Sequence, residues 1–297
     1  MRFILSIITT ALVCYGGYWF WQNNPEVREW VSDFVFKQVA QKEFQTLEIR
    51  YSAEQIMQAA KAQLIRDRNY HYREPKLKFY PYVLLDVKFS RSDQKTEEGT
   101  MLWSLVDGEF VIDTKTWEKT HGYEDCINAN VTKAEFLLIN AVAKANGLID
   151  KKQLLSLGGS DSRAIENTIN SCKKKKLLVE YSAGLRLHFE NPKLAIYPIT
   201  QFDQPVVTKS YKSAITVSRN YTINQIKQLA DAAFGKDFAI RGAQEVFLPI
   251  YTIEVQNPDG TVQTTHWNAV NGCAMNVNDA HPESASSNPL QNLLQIN

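Results

Sequence analysis

The chain has 297 residues, a net charge of +1 at neutral pH and an ordinary globular content of hydrophobic residues (44%). This length leaves room for about two or three small domains. A net charge so close to zero excludes attraction to nucleic acid through the overall electrostatic field of the protein. The four cysteines form no CxxC pair, which argues against the common zinc and thiol-redox frameworks.

The first candidate element is an uncharged run over residues 3–21, long enough to cross a bilayer as a helix. Aromatic residues, among them Trp19 and Trp21, crowd its far end as they do at membrane interfaces. A cleaved signal peptide is the alternative, but no Ala-x-Ala site follows, and bulky aromatic residues occupy the place where cleavage requires small ones. We therefore expect an uncleaved transmembrane anchor over residues 1–22.

This anchor predicts a single-pass protein of the inner (cell) membrane. The charges on its two sides nearly balance, since Arg2 precedes the segment while Arg28 and Lys37 follow it among acidic residues. A short amino-terminal flank usually stays in the cytoplasm, which favours a soluble part outside it. Residues 23–45 then show apolar positions at helical spacing, which predicts a juxtamembrane amphipathic helix.

Three sequence blocks recur in the same order with offsets of 170, 168 and 164 residues, which indicates a duplicated unit. The matched blocks are Tyr51–Ala60 with Tyr221–Ala230, Phe79–Val87 with Phe247–Val255, and Trp103–Gly108 with Trp267–Gly272. Each unit is predicted to form a helix, a strand, a turn and a second strand. A helix packed on a small antiparallel sheet is an α+β arrangement. We assign the first repeat to residues 46–125 and the second to residues 199–275.

The pattern of each repeat resembles small PepSY-like domains, whose closing strand carries an aspartate-x-x-glycine turn. Asp107-Gly108 and Asn271-Gly272 match that turn loosely. The resemblance implies a fold and no activity. Because one such unit is marginal alone, we expect the two repeats to pack on each other as a pseudo-symmetric pair, with the intervening stretch inserted between them.

Residues 126–198, between the repeats, read as three short helices followed by a β-hairpin. Thr132-Lys-Ala-Glu135 is a capping box that starts the first of these helices. Its predicted buried face consists of Ala134, Leu137, Leu138, Ala141, Val142 and Ala145. The stretch Ser160–Val179 resembles the recognition helix and first wing strand of winged helix-turn-helix proteins.

In winged-helix proteins the third helix often enters the DNA major groove. The resemblance therefore implies a candidate face for nucleic acid or a partner, formed by Ser162, Arg163, Asn167, Asn170, Lys173, Lys174 and Arg186. Such side chains can hold phosphates or read bases. Many winged helices bind protein instead, and Glu166 lies within the face, where it would repel phosphate. Both kinds of partner stay open, and DNA requires a cytoplasmic soluble part.

The sequence contains no GxxxxGK[ST], GxGxxG, GxSxG or HExxH motif. The five histidines are scattered without the spacing of metal ligands. We therefore predict no enzyme, no catalytic residue, no metal site, no cofactor and no small-molecule substrate. Residues 276–297 are rich in Asn, Ser and Pro and are expected to form a flexible tail.

Taken together, these patterns predict an α+β protein with an N-terminal transmembrane helix. Two duplicated helix-on-antiparallel-sheet units would follow it, with a winged-helix domain between them. The predicted function is that of a non-enzymatic protein-interaction or assembly module on a single-pass membrane anchor. The alternative is a membrane-tethered, DNA-binding transcriptional regulator.

Overall fold

The protein is described by a computed structural model over residues 44–65, 69–91, 95–156, 162–182, 184–203, 205–210, 214–235 and 237–275. The helices in this part of the chain are α1 (Ala53–Ala59), α2 (Lys61–Leu64), α3 (Tyr123–Asn128), α4 (Lys133–Lys144), α5 (Lys151–Ser156), α6 (Ser162–Lys174) and α7 (Ile223–Phe234). The strands are β1 (Phe44–Leu47), β2 (His71–Tyr72), β3 (Lys76–Ser90), β4 (Thr96–Ser104), β5 (Phe110–Asp113), β6 (Glu118–Lys119), β7 (Leu148–Ile149), β8 (Leu178–Tyr181), β9 (Gly184–Leu187), β10 (Val206–Lys209), β11 (Ile215–Thr216), β12 (Phe238–Gln256), β13 (Val262–Asn268) and β14 (Ala274–Met275).

Eleven of these strands form one sheet, whose main path is β10-β1-β12-β3-β4-β5-β6. Its central pair is β3 of the first repeat and β12 of the second, which run antiparallel from Phe79 opposite Pro249 to Phe89 opposite Phe238. The far half of β12 pairs with β13, and β13 pairs with β14. The remaining three strands form a small separate sheet in the order β7-β9-β8.

The two repeats make equivalent backbone contacts. The N–H of Tyr221 donates to the carbonyl of Leu105 at 3.0 Å, and the N–H of Tyr51 donates to the carbonyl of Ala269 at 3.0 Å. Both α1 and α7 begin with a hydroxyl–glutamine capping box. In addition, β1 lies parallel to β12, and β11 lies parallel to β3. The matched blocks therefore occupy equivalent positions about the β3–β12 pair.

The helix of each repeat packs on the strands of the other repeat. In the larger buried cluster, α7 of the second repeat packs with β3 and β4 of the first, through Ile226, Leu229, Val83, Leu85 and Trp103. In a smaller cluster, α1 and α2 of the first repeat pack with β12 and β13 of the second, through Ile56, Leu64, Ile253, Val255 and Trp267. Each helix thus packs on the hairpin of the other repeat, and α7 also contacts the first part of its own strand β12, where Phe234 packs on Phe238.

The predicted fold class is therefore wrong. We expected a transmembrane helix, two duplicated helix-on-antiparallel-sheet units packed on each other, and a winged-helix domain between them. The described chain is instead a mixed α/β structure with seven helices and one large sheet. The physical reason lies in strand length, since β3 has 15 residues and β12 has 19. Each strand is long enough to pair with its own hairpin partner and with the other repeat, which covers edges that separate units would expose.

The predicted anchor (1–22), almost all of the predicted juxtamembrane helix (23–45) and the predicted tail (276–297) lie outside the described residues. Where the chain is described, no helix is long and apolar enough to cross a bilayer. The membrane part of the predicted fold class thus has no structural support. Phe44 and Gln45, at the end of the predicted juxtamembrane helix, belong to β1.

The central stretch is joined to the rest of the protein, because α4 contacts α7 and shares a buried cluster with β3 and β4 of the large sheet. The buried face of α4 also differs from the predicted one, since Leu137 is exposed while Phe136 and Ile139 are buried. The apolar residues of α4 offer two overlapping helical faces, and the neighbouring sheet and α7 select between them. The predicted boundaries at 126 and 198 stay a prediction, and the core runs across them.

Candidate functional site

The predicted face begins on α6, which the buried side chains of Ile169 and Cys172 hold against the core. The outward side of this helix carries most of the predicted residues. Exposed among them are Ser162, Arg163, Asn167, Asn170 and Lys174, while Lys173 is half-buried. The sequence pattern therefore located one polar, solvent-facing side of a helix.

Lysines engage both acidic groups beside this side of α6. Lys151 lies 3.7 Å from Glu166, and the Nζ of Lys173 donates a hydrogen bond to Glu180. Such surface pairs add little stability, but they change the charge that a partner would meet. Glu166, which would repel phosphate, is partly neutralised, and among the described residues the charge left on the outer side of α6 is that of Arg163 and Lys174. These two residues, with Asn167 and Asn170, are called the helix face below.

Arg186 does not join the helix face. It lies on β9 directly opposite Leu148 of β7 and Val179 of β8. Its chain neighbours Leu185 and Leu187 are buried in the cluster that also contains Ile169 of α6. Because successive side chains of a strand point to opposite sides, Arg186 points away from α6. The predicted face is thus split into two surfaces.

The second surface is the outer side of the small sheet, formed by Leu148, Val179, Tyr181 and Arg186 and called the wing face below. Leu148 is 46% exposed and Tyr181 is 53% exposed, although both are large hydrophobic residues. Sequence reasoning assigned no role to Leu148, Val179 or Tyr181. The alternation of side chains along a strand could have indicated this surface, since Val179 and Tyr181 fall on the side of β8 opposite the buried Leu178.

Glu135 fixes the position of α6 relative to α4. One carboxylate oxygen accepts hydrogen bonds from the Lys175 Nζ at 2.7 Å and the Thr132 N–H at 2.7 Å, and the other accepts from the Ser171 hydroxyl at 2.6 Å. Burial alone would raise the pKa of Glu135, but the bonds from Lys175, Ser171 and Thr132 outweigh it and lower the pKa to about 2. A charged carboxylate therefore ties the two helices together.

A second buried carboxylate, Glu109, lies at the turn of the first repeat. It accepts hydrogen bonds from the Thr120 hydroxyl at 2.6 Å and from the N–H groups of Gly122 and Glu124 at 3.0 and 3.1 Å. The backbone donors lie at the start of α3, so Glu109 caps this short helix. Burial raises the pKa of Glu109, although these hydrogen bonds oppose the rise.

Replacing Glu109 with glutamine is expected to make stability less sensitive to pH. Because the pKa of Glu109 is raised in the folded protein, its favourable contribution is present below the usual value of 4.5 and is lost as pH rises through the folded pKa. Thermal unfolding of both proteins from pH 4 to pH 7 measures this, with Glu74→Gln as the exposed control. An unchanged pH profile in Glu109→Gln would contradict the assignment.

The two buried carboxylates hold helices in place. Within the described ranges, no group of three or more His, Cys, Asp or Glu residues could hold a metal ion. Glu109 and Glu135 each accept three hydrogen bonds that cap or join helices. What the central stretch offers a partner is therefore the cationic helix face and the apolar wing face.

A scan against protein-family models finds no match to the chain, and searches among curated proteins and solved structures find none either. The winged-helix and PepSY-like resemblances therefore stay predictions from the sequence.

The order of elements from α4 to β9 is helix, short strand, helix, helix and hairpin. The two faces on those elements are the features from which a function can be argued.

Proposed function

We propose that the protein is a non-enzymatic interaction or assembly module that binds a protein partner through the wing face. The observation that supports this is the exposure of Leu148 and Tyr181 on the outer side of a sheet whose inner side is already buried. These side chains add little to the core of their own chain. Buried against a partner, they would leave water and stabilise the complex.

The composition of the wing face also suits a protein partner. Aromatic residues and arginine are enriched at the centres of protein interfaces, where a few such residues dominate the binding energy. Arg186 is flanked by Leu148 and Val179 on the two neighbouring strands. An arginine among apolar neighbours can donate several hydrogen bonds to one partner group while its stem packs on them.

A specific observation favours DNA as a second candidate partner. The pairing of Glu166 with Lys151 leaves Arg163 and Lys174 as the dominant charges of the helix face. Asn167 and Asn170 are exposed between them. Cationic and amide side chains on one helix can contact phosphates and base edges. Binding through this face would use α6 and would leave the wing face free.

Substitutions on the two faces separate the two candidates. We expect Tyr181→Ser to abolish or strongly weaken co-purification of a specific protein set, because loss of an aromatic hot spot costs about 2 kcal/mol, or roughly 30-fold in affinity. Arg163→Ala is the matched control on the helix face and should leave that set unchanged. Both side chains are exposed, so both variants should keep the parental unfolding temperature.

The same variants test the DNA candidate. We expect no salt-dependent binding of the parental protein to a random-sequence duplex. If such binding occurs, and Arg163→Ala or Lys174→Ala lowers the slope of log affinity against log salt by about one unit per lost phosphate contact, the DNA candidate replaces the first. A protein set that survives Tyr181→Ser and is lost with Arg163→Ala would also overturn the wing-face proposal.

A further inference from the structure

Two tyrosines at matched positions of the repeats differ in exposure. Tyr221, before α7, is 6% exposed, whereas Tyr51, before α1, is 43% exposed. Their local settings are otherwise alike, since each ring lies over a glycine with positive φ. Gly108 (φ +69°) is beneath Tyr221, and Gly272 (φ +73°) is beneath Tyr51. The backbone positions the two rings equivalently, so the difference arises from what covers them.

Tyr221 is covered by α3. Its hydroxyl lies 3.0 Å from a carboxylate oxygen of Glu124 and 3.2 Å from the side-chain oxygen of Asn128, one helical turn further on. Between them in sequence, Ile127 packs over Gly108. The cover of this tyrosine is thus a short helix that presents an acceptor, an apolar side chain and a second acceptor to one side.

The corresponding surface around Tyr51 lies where α1 of the first repeat meets Gly272 of the second, and it is uncovered within the described part of the chain. A cleft of about 290 Å³ separates α7 from α3, and Gln225, Gln228 and Leu229 form its α7 wall. The matched residues on α1 are Gln55, Gln58 and Ala59, all of them exposed. Leu229 is buried, so the smaller Ala59 leaves room for a side chain from outside.

We propose that Tyr51, Gln55, Gln58, Ala59 and Gly272 form a docking surface for a helix of a partner protein. This surface is called the Tyr51 surface below. The covered half indicates the chemistry of the partner: a carboxylate or amide oxygen for the Tyr51 hydroxyl, an apolar side chain for the notch over Gly272, and a second acceptor one turn later.

One difference between the halves favours an acidic group on this helix. Beside Tyr221, burial is the main cause that raises the pKa of Glu124, and repulsion from the neighbouring Asp107 raises it further. The residue matched to Asp107, next to the Tyr51 surface, is the neutral Asn271. A carboxylate at the Tyr51 surface is therefore spared that repulsion. With one aromatic anchor and one notch, the contact belongs to the small, transient class of interfaces. The Tyr51 surface does not involve the wing face and goes beyond the function proposed above.

The test uses the full chain and a helix-stapled peptide with the sequence of residues 122–131. The staple joins positions 125 and 129, on the side away from Glu124 and Asn128. It reduces the ordering cost of so short a helix. In two-dimensional amide NMR of protein labelled in glycine and tyrosine, we expect saturable shifts of Tyr51 and Gly272 at peptide concentrations up to about 1 mM.

Matched variants identify the contact. Tyr51→Phe removes only the hydroxyl and should weaken peptide binding about three- to tenfold, the effect of one hydrogen bond. Tyr221→Phe is the control in the covered half and should leave peptide binding unchanged. The proposal is overturned if no shift occurs by about 1 mM, if Tyr51→Phe binds as tightly as the parent, or if the shifts are at Tyr221.

A second measurement distinguishes a partner from the chain's own carboxyl-terminal residues. The rate at which tetranitromethane nitrates Tyr51 is compared between the full chain and a chain that ends at Met275, with Tyr221 as the internal reference. Equal rates for Tyr51 support a surface that is open to a partner. A clear rise in the shortened chain would show that residues 276–297 cover the surface and would overturn the proposal of a separate partner.

Discussion

Replacement of Trp103 by alanine is expected to destabilise the protein by about 3–5 kcal/mol, as large-to-small substitutions of buried aromatic residues do. Trp103 is fully buried. Its ring packs edge-on against Phe110 at 5.7 Å and Tyr123 at 5.2 Å between ring centres, and its indole N–H donates to the carbonyl of Gly108 at 2.6 Å. The substitution would open a cavity where β4, β5 and α3 meet.

The matched control is Trp267→Ala, at the equivalent position of the second repeat. Trp267 lies in a smaller buried cluster, and its indole N–H bonds to Thr265 of the same strand. We therefore expect a smaller loss, of about 2–3 kcal/mol. Urea unfolding of the two variants and the parent provides the comparison. An equal or larger loss in Trp267→Ala would contradict the expectation that Trp103 contributes more to stability than its counterpart.

Substitution of Glu135 is expected to have the second largest effect on the free energy of unfolding, and this effect should depend on pH. The pKa of Glu135 is lowered from 4.5 to about 2 in the folded protein. The stability it contributes is therefore present above pH 4.5 and is lost as pH falls through the folded pKa. The shift corresponds to at most about 3 kcal/mol at neutral pH, and solvent around the partly exposed Lys175 screens the pair and lowers this figure.

The measurement is urea unfolding of the parent and of Glu135→Gln at pH 7 and pH 3. The parent should lose stability at the lower pH, and the variant should be weaker at pH 7 and change less. Glu180→Gln is the matched control, because it removes only an exposed pair with Lys173 and should change stability little. If Glu135→Gln loses as much stability as the parent between the two pH values, Glu135 is not the group responsible.

Several local features could be predicted from the sequence because neighbouring residues determine them. The capping box of Thr132 and Glu135 is confirmed, since each side chain bonds to the backbone of the other residue. The hairpin of β8 and β9 lies where the alternation of apolar residues predicted it. Caps and alternation involve residues a few positions apart, so no distant contact is needed to define them.

The candidate site could be predicted only in part for the same reason. The helical period identified the exposed side of α6 correctly, because that side follows from the spacing of residues within one helix. It could not show that Lys151 reaches Glu166 or that Arg186 points away from α6. These two facts depend on how separate elements pack. Leu148, Val179 and Tyr181 of the wing face were missed because each is unremarkable in sequence, and only the pairing of three strands brings them together with Arg186.

What the sequence determined by itself is the set of local elements and the duplication, since both are written in short-range patterns. The tertiary structure alone decided which strands those helices cover. The apolar faces of α1 and α7 suit either hairpin, and the long strands β3 and β12 pair so that each helix packs on the hairpin of the other repeat. It also decided that α3 covers Tyr221 while Tyr51 is exposed among the described residues, because that difference rests on contacts between residues about a hundred positions apart.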